Sequence, residues 1–150
     1  MYGKRLKEIR ERLGIYQKDL AKLLNVQRSA YTQYELEYNT IPCVHLNTLA
    51  NYFNVSIDYL FMLSNKKNYN NTLSEIDKAK SGMRLKELRK ENKLSQEKLA
   101  TLLNTTHSVI AEYERGRFLI NTSFLYTICK KYNISADYLL GKIDSPKYLN

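Results

Sequence analysis

The chain has 150 residues and a net charge of +9, with 43% hydrophobic residues and two cysteines. No apolar run approaches the ~20 residues of a membrane span, and the N-terminus, Met1-Tyr2-Gly3-Lys4-Arg5-Leu6, is charged at once and has no apolar signal core. The expectation is a cytoplasmic protein with thiols in reduced form, whose excess of Lys and Arg suits a polyanionic partner.

The first predicted helix carries Leu6, Ile9, Arg10 and Leu13, an i, i+3, i+4, i+7 stripe. A second, from Gln17 to Leu24, buries Leu20, Ala21 and Leu24 and stops at Asn25, the non-glycine residue type best suited to a left-handed turn. A third spans 28–36 and a fourth 43–53. A fifth starts at Ser56, an N-cap with Asp58 in the first turn. The polar, aperiodic stretch from Ser64 to Thr72 reads as a linker. Ser74-Glu75-Ile76-Asp77 then offers a capping-box start for a helix running on toward Leu85, with Gly82 as a mild penalty of about 1 kcal/mol. Further helices follow near 96–103, 107–115 and 122–132 and from Ser135, and the tail Ser145–Asn150 reads as frayed.

This order contains a repeat. Shifted by 79 residues, Gly3–Asn65 lies over Gly82–Asp144 without a gap. Arg5-Leu6-Lys7-Glu8 meets Arg84-Leu85-Lys86-Glu87, Tyr34-Glu35 meets Tyr113-Glu114, and Asp58-Tyr59-Leu60 meets Asp137-Tyr138-Leu139. The predicted architecture is all-α, two tandem five-helix domains: domain 1 over 1–65, a linker over 66–73 and domain 2 over 74–150. Charge divides unevenly, +2 over 1–65, +2 over 66–81 and +5 over 82–150. Cys43 aligns with Thr122 and Cys129 with Ala50, so neither belongs to a repeated disulfide or metal framework.

The segment Gln17–Glu35 holds two short helices around a turn. Leu20, Leu24, Val26, Tyr31 and Tyr34 lock the pair, and the outward start of the later helix is left free: Gln27, Arg28, Ser29, Thr32 and Gln33. This is the logic of a helix-turn-helix, whose second helix enters the major groove. The second copy presents Thr106, His107, Ser108, Ala111 and Glu112 at the same positions.

Both copies resemble the Cro/repressor-type helix-turn-helix family, also called the xenobiotic-response-element (XRE) type. The second copy carries the pattern in Arg89, Leu94-Ser95-Gln96, Leu99-Ala100, Leu103, Tyr113-Glu114-Arg115-Gly116-Arg117 and Ile134-Ser135-Ala136-Asp137-Tyr138-Leu139-Leu140-Gly141. The first carries it in Arg10, Gln17, Leu20-Ala21, Leu24, Val26, Tyr34-Glu35 and Val55-Ser56-Ile57-Asp58-Tyr59-Leu60. It departs at Tyr16, where a capping Ser is expected and a weaker helix start follows. It departs again at Leu36-Glu37-Tyr38, where the family prefers a basic or polar residue, Gly, then a basic residue; Glu37 loses the left-handed Gly and is expected to place a negative charge where a backbone phosphate would pass.

The resemblance implies a lambda-repressor-like fold and a sequence-specific, repressor-like regulator bound to double-stranded DNA. Gln17 and Gln96 would anchor phosphate at a helix N-terminus, with Arg115 and Arg117 as further phosphate contacts. Base reading falls to Gln27, Arg28, Ser29, Thr32 and Gln33, and to Thr106, His107, Ser108 and Glu112. Arg28 suits guanine, Gln33 adenine, and Glu112 the amino group of cytosine. Arg10 and Arg89 are expected to bridge to Glu35 and Glu114 inside each domain, and Tyr34 and Tyr113 to serve the core. His45 and His107 lack partners at ligand spacing. No repeated nucleophilic constellation or glycine-rich phosphate loop is present, so neither enzyme, metal nor cofactor is predicted. Tandem copies can cover two half-sites about 34 Å apart, with a homodimer as a further possibility. The alternative function is a protein-interaction module, such as an antitoxin or anti-repressor partner, in which one domain alone binds DNA.

Overall fold

The computed structural model describes residues 1–149, which form two compact units, Met1–Asn70 and Asn71–Leu149. The first contains α1 (Gly3–Arg12), α2 (Gln17–Leu24), α3 (Arg28–Leu36), α4 (Cys43–Phe53) and α5 (Ile57–Leu60). The second contains α6 (Lys78–Glu91), α7 (Gln96–Leu102), α8 (His107–Glu114), α9 (Thr122–Tyr132) and α10 (Ala136–Leu139). Among the described residues the only extended pairing is a single antiparallel bridge between Ile134 and Tyr148, so the class is all-α, as the periodicity predicts. No described helix is long and apolar enough to cross a membrane.

Each unit closes around the apolar stripes of its helices. Leu6, Leu20, Leu46, Leu49 and Leu60 are buried in the first, and Leu85, Leu99, Ile110, Leu125, Ile128 and Leu139 in the second. Each such side chain contributes roughly 1.5–3 kcal/mol.

One corner recurs twice in each unit. Asn25, Asn54, Asn104 and Asn133 all adopt the left-handed conformation, with φ of 54–55°. Each is followed by a β-branched residue, Val26, Val55, Thr105 or Ile134, which favours the extended backbone that leads into the next helix. The amide of that residue donates back to the carbonyl of a small residue near the end of the preceding helix. The pairs are Val26 to Ala21 at 3.0 Å, Val55 to Ala50 at 2.9 Å, Thr105 to Ala100 at 2.9 Å and Ile134 to Cys129 at 3.2 Å. These bonds satisfy carbonyls that a helix end leaves open. After two of the corners a serine caps the short last helix: Ser56 Oγ accepts from the Tyr59 amide at 2.9 Å and Ser135 Oγ from the Tyr138 amide at 3.2 Å.

Gly82 is more than a tolerated breaker. A Cβ there would stand 2.3 Å from the Tyr113 carbonyl oxygen, and at the equivalent Gly3 it would stand 2.1 Å from that of Glu35. Both glycines let the first helix of a unit meet the end of the third backbone to backbone.

The structure corrects three local expectations. The long helix α6 starts at Lys78 and is capped by Asp77, whose Oδ1 accepts from the Lys80 amide at 2.9 Å; Ser74 lies outside it. Asp77 is drawn to this place because its own amide donates to the Leu140 carbonyl at 3.0 Å. The tail is docked through Leu149, the last residue described. Its side chain is buried, its amide donates to the Asn133 carbonyl at 2.8 Å, and the Ser135 amide donates to Lys147 at 2.8 Å. Finally, Tyr16 supplies no side-chain cap, but Asp19 compensates by accepting from the Tyr16 amide at 3.1 Å.

The polar stretch after the first copy is tied down at both ends. Ser56 donates through its amide to Lys67 and through Oγ to the Lys66 carbonyl, and the Tyr69 hydroxyl donates to the buried Asp58 carboxylate at 2.7 Å. On the other side the Leu73 amide donates to the Lys142 carbonyl at 2.8 Å.

Candidate nucleic-acid interface

Behind each third helix lies the same polar knot. Arg10 donates through Nε and Nη2 to the two oxygens of Glu35, at 2.7 and 3.1 Å, and through Nη1 to the Ile15 carbonyl at 3.2 Å. Arg89 does the same to Glu114, at 2.7 and 3.0 Å, and to the Leu94 carbonyl at 2.9 Å. The expected internal bridge is therefore present twice. The carboxylates are 3% and 4% exposed as side chains, so each pair is held away from solvent. Hydrogen bonding to the carboxylate raises both guanidiniums above their ordinary range, against the lowering effect of burial. A bidentate pair of this kind fixes direction as well as distance. It aligns α3 with α1, and α8 with α6.

The glutamines at the start of α2 and α7 join the knot. Gln17 Nε2 donates to Glu35 Oε1 at 3.2 Å, and Gln96 Nε2 donates to Glu114 Oε1 at 3.2 Å. Each amide group keeps one further N–H for an outside acceptor. In the first unit Thr32 Oγ1 also donates to Gln17 Oε1, at 2.6 Å. Alanine stands at the equivalent position 111, so only the first unit links the two helices in this way. Thr32 is thus half-buried and spent internally.

The other expected reading positions, apart from Glu112, are exposed to solvent. Gln27, Arg28, Ser29 and Gln33 are exposed in the first unit, as are Thr106, His107 and Ser108 in the second. Gln33 accepts from the Asn39 side chain through Oε1. Glu112 is half-buried and faces Arg115 and Arg117, both exposed. Tyr34 and Tyr113 are half-buried, with Tyr34 tilted against His45 at 6.3 Å between centroids.

Two stretches of polypeptide with the same knot, the same corner and the same exposed third-helix face are therefore present in one chain. A family model described as a helix-turn-helix domain matches residues 3–66 and again residues 82–145. The chain belongs to the XRE-type helix-turn-helix family. It is also similar to the HTH-type transcriptional regulator ImmR of Bacillus subtilis (strain 168), with 43% identity over 58 residues. That stretch covers 39% of this chain and 46% of ImmR, so the likeness spans about half of that relative.

Within the helix-turn-helix frame, several cations escaped the motif. Lys18 lines an open groove with Tyr16, Gln17 and Arg28, and lines a second with Lys22, Gln27 and Arg28. Lys18 and Lys22 lie four residues apart, on one face of α2. That spacing was the available signal, but the second domain offers no echo of it, because Glu97 and Thr101 stand there. Glu37 keeps the left-handed conformation that Gly116 adopts, with φ of 59° against 74°. Its carboxylate turns inward, accepting from the Gly3 amide at 3.0 Å and from the Met1 nitrogen at 2.9 Å. Arg5 and Arg84 are a further shared anchor: each guanidinium donates to a carbonyl of the last helix and stacks on its tyrosine, Tyr59 at 3.9 Å and Tyr138 at 4.0 Å. Among the described residues no group of three or more His, Cys, Asp or Glu side chains gathers to hold a metal.

Proposed function

We propose that this protein is a sequence-specific, repressor-like transcriptional regulator that lays α3 and α8 in major grooves of double-stranded DNA. The observation that carries the reading is the pairing of a buried Arg–Glu–Gln knot with an exposed helix start in each domain. The knot fixes how the helix is presented, and the exposed side chains are of the types that read base edges. In the first domain Arg28 and Gln27 stand beside Lys18 and Lys22, so a base donor and phosphate cations share one groove. In the second, His107, Ser108 and Thr106 face outward, with Arg115 and Arg117 at the far end of the helix. Gln17 and Gln96 contact phosphate through the N–H that the knot leaves over. The two faces differ, so one chain reads an asymmetric site.

The test is selection from random duplexes with the whole chain, followed by binding measurements across salt. Phosphate contacts make log K fall linearly with log salt. Arg28→Ala relaxes preference at one base pair, at about 1–3 kcal/mol. Lys18→Ala weakens every duplex alike and lowers the salt slope by about one. Salt-independent binding, or an unchanged preference in Arg28→Ala, refutes the groove assignment. A palindromic site occupied by one chain refutes the asymmetric reading.

A further inference from the structure

The second domain contains a charge arrangement that the first cannot make. Glu112 Oε1 lies 2.8 Å from Arg115 Nη1, and Glu112 Oε2 lies 3.4 Å from Arg117 Nη1. The three side chains are 24%, 64% and 67% exposed. Gln33, Leu36 and Tyr38 occupy these positions in the first domain, where neither a cation nor an anion is available.

We propose that Glu112 is a built-in competitor for phosphate, which lowers the affinity of the second domain for every polyanion rather than reading a base. The proposal rests on the DNA-binding reading above, and assigns a role at that same surface. To a guanidinium, a carboxylate offers the same pair of charged oxygens as a backbone phosphodiester. Arg115 and Arg117 are therefore already occupied in the free protein. The pairs are open to water, so each is weak and exchangeable. A phosphate can replace the carboxylate, but the displaced Glu112 then stands unpaired against DNA of the same sign. That cost falls on all sequences equally. A carboxylate shared by two guanidiniums also has fewer lone pairs to offer a cytosine amino group. Affinity and salt sensitivity of this domain are thus tuned by a residue on the reading helix itself.

The experiment compares the full-length protein with Glu112→Gln, a change that keeps shape and removes charge. Binding is measured to a selected duplex, to an unrelated duplex and to linear polyphosphate. The proposal expects Glu112→Gln to bind all three about three- to ten-fold more tightly, on the scale of one or two exposed ion pairs, with base preference unchanged. Adding Arg115→Ala and Arg117→Ala abolishes the gain. Weaker binding to the selected duplex alone overturns the proposal and makes Glu112 a base reader. Unchanged affinity for all three probes overturns it as well. Tighter polyphosphate binding with no duplex binding by either protein supports the competitor and refutes the DNA-binding reading. Superimposable thermal melts of the two proteins show that neither result comes from misfolding.

Discussion

Replacing Gly82 with alanine should destabilise the second domain, although helix preference alone gives the opposite sign. In an exposed helix interior the change would gain about 1 kcal/mol. Here the new Cβ would stand 2.3 Å from the Tyr113 carbonyl oxygen and 2.8 Å from that of Glu114, where ordinary contact starts at 3.4 Å. Both obstacles are backbone, so no rotamer change clears them, and α6 has to retreat from α8 by about 1 Å in a close-packed interior. Overpacking of this kind costs about 1–3 kcal/mol, and rigid backbone on both sides places it at the upper end. The net loss is about 2 kcal/mol, or roughly 10 °C in melting temperature for a domain of this size. Thermal denaturation of the full chain, with hydrogen exchange to assign each transition to its domain, reads the effect. Gly3→Ala is the matched variant and should weaken the first domain in the same sense, since its Cβ would stand 2.1 Å from the Glu35 oxygen. A melting temperature equal to or above that of the parent in either variant refutes the claim that these glycines exist for contact.

Two further outcomes follow from buried polar groups. The Tyr31 hydroxyl is sealed against Glu35 without an ordinary hydrogen bond, and burial together with the nearby carboxylate pushes its pKa up. The second domain has Ile110 there. Tyr31→Phe removes an unsatisfied donor and should stabilise the first domain by about 1 kcal/mol; a comparable loss in urea denaturation would show that the hydroxyl is bonded after all. Burial lowers the pKa of Lys142, which is 1% exposed, with Asp137 opposing the shift only in part. The folded state therefore releases this proton before the unfolded one does, and the second domain gains stability as pH rises toward the ordinary lysine value of 10.5. Tyr132 and Lys147 are shifted upward, so their opposing losses begin only near 10.0 and 10.5. Urea unfolding between about pH 7 and pH 9.5 should show the rise in the parent protein and a flatter profile in Lys142→Met. Identical slopes in the two proteins would rule Lys142 out as the cause.

Much of the fold was legible because the repeat spoke twice. Helix existence and most helix ends follow from stripes, left-handed asparagines and serine caps, all of them local signals. The Arg10–Glu35 and Arg89–Glu114 bridges were legible from their recurrence in the same phase. What escaped was set by tertiary contact. Gly82 reads locally as a cost because nothing nearby in sequence shows that α8 touches it. Asp77 wins the cap of α6 because residues 140–142 hold the chain ahead of it. A lone Leu149 in a polar tail carries too little periodicity to announce that it is buried. At the candidate interface, the exposure of Arg28 and His107 was legible from the helix face they occupy. The internal use of Thr32 and Glu112 was not, because side chains that face outward on a helical wheel can still turn back on a neighbour.

The corner used four times has a consequence for how this protein can change. The turn and the small residue beneath it decide the angle at which the third helix leaves the second, and the glycine contact decides how close that helix sits. None of these elements includes Arg28, Ser29, His107 or Ser108. Under the proposed DNA-reading role, recognition can therefore be rewritten one side chain at a time while presentation stays fixed. On that same proposed role, two such modules in one chain would let one face drift toward a new sequence while the other still holds the old site.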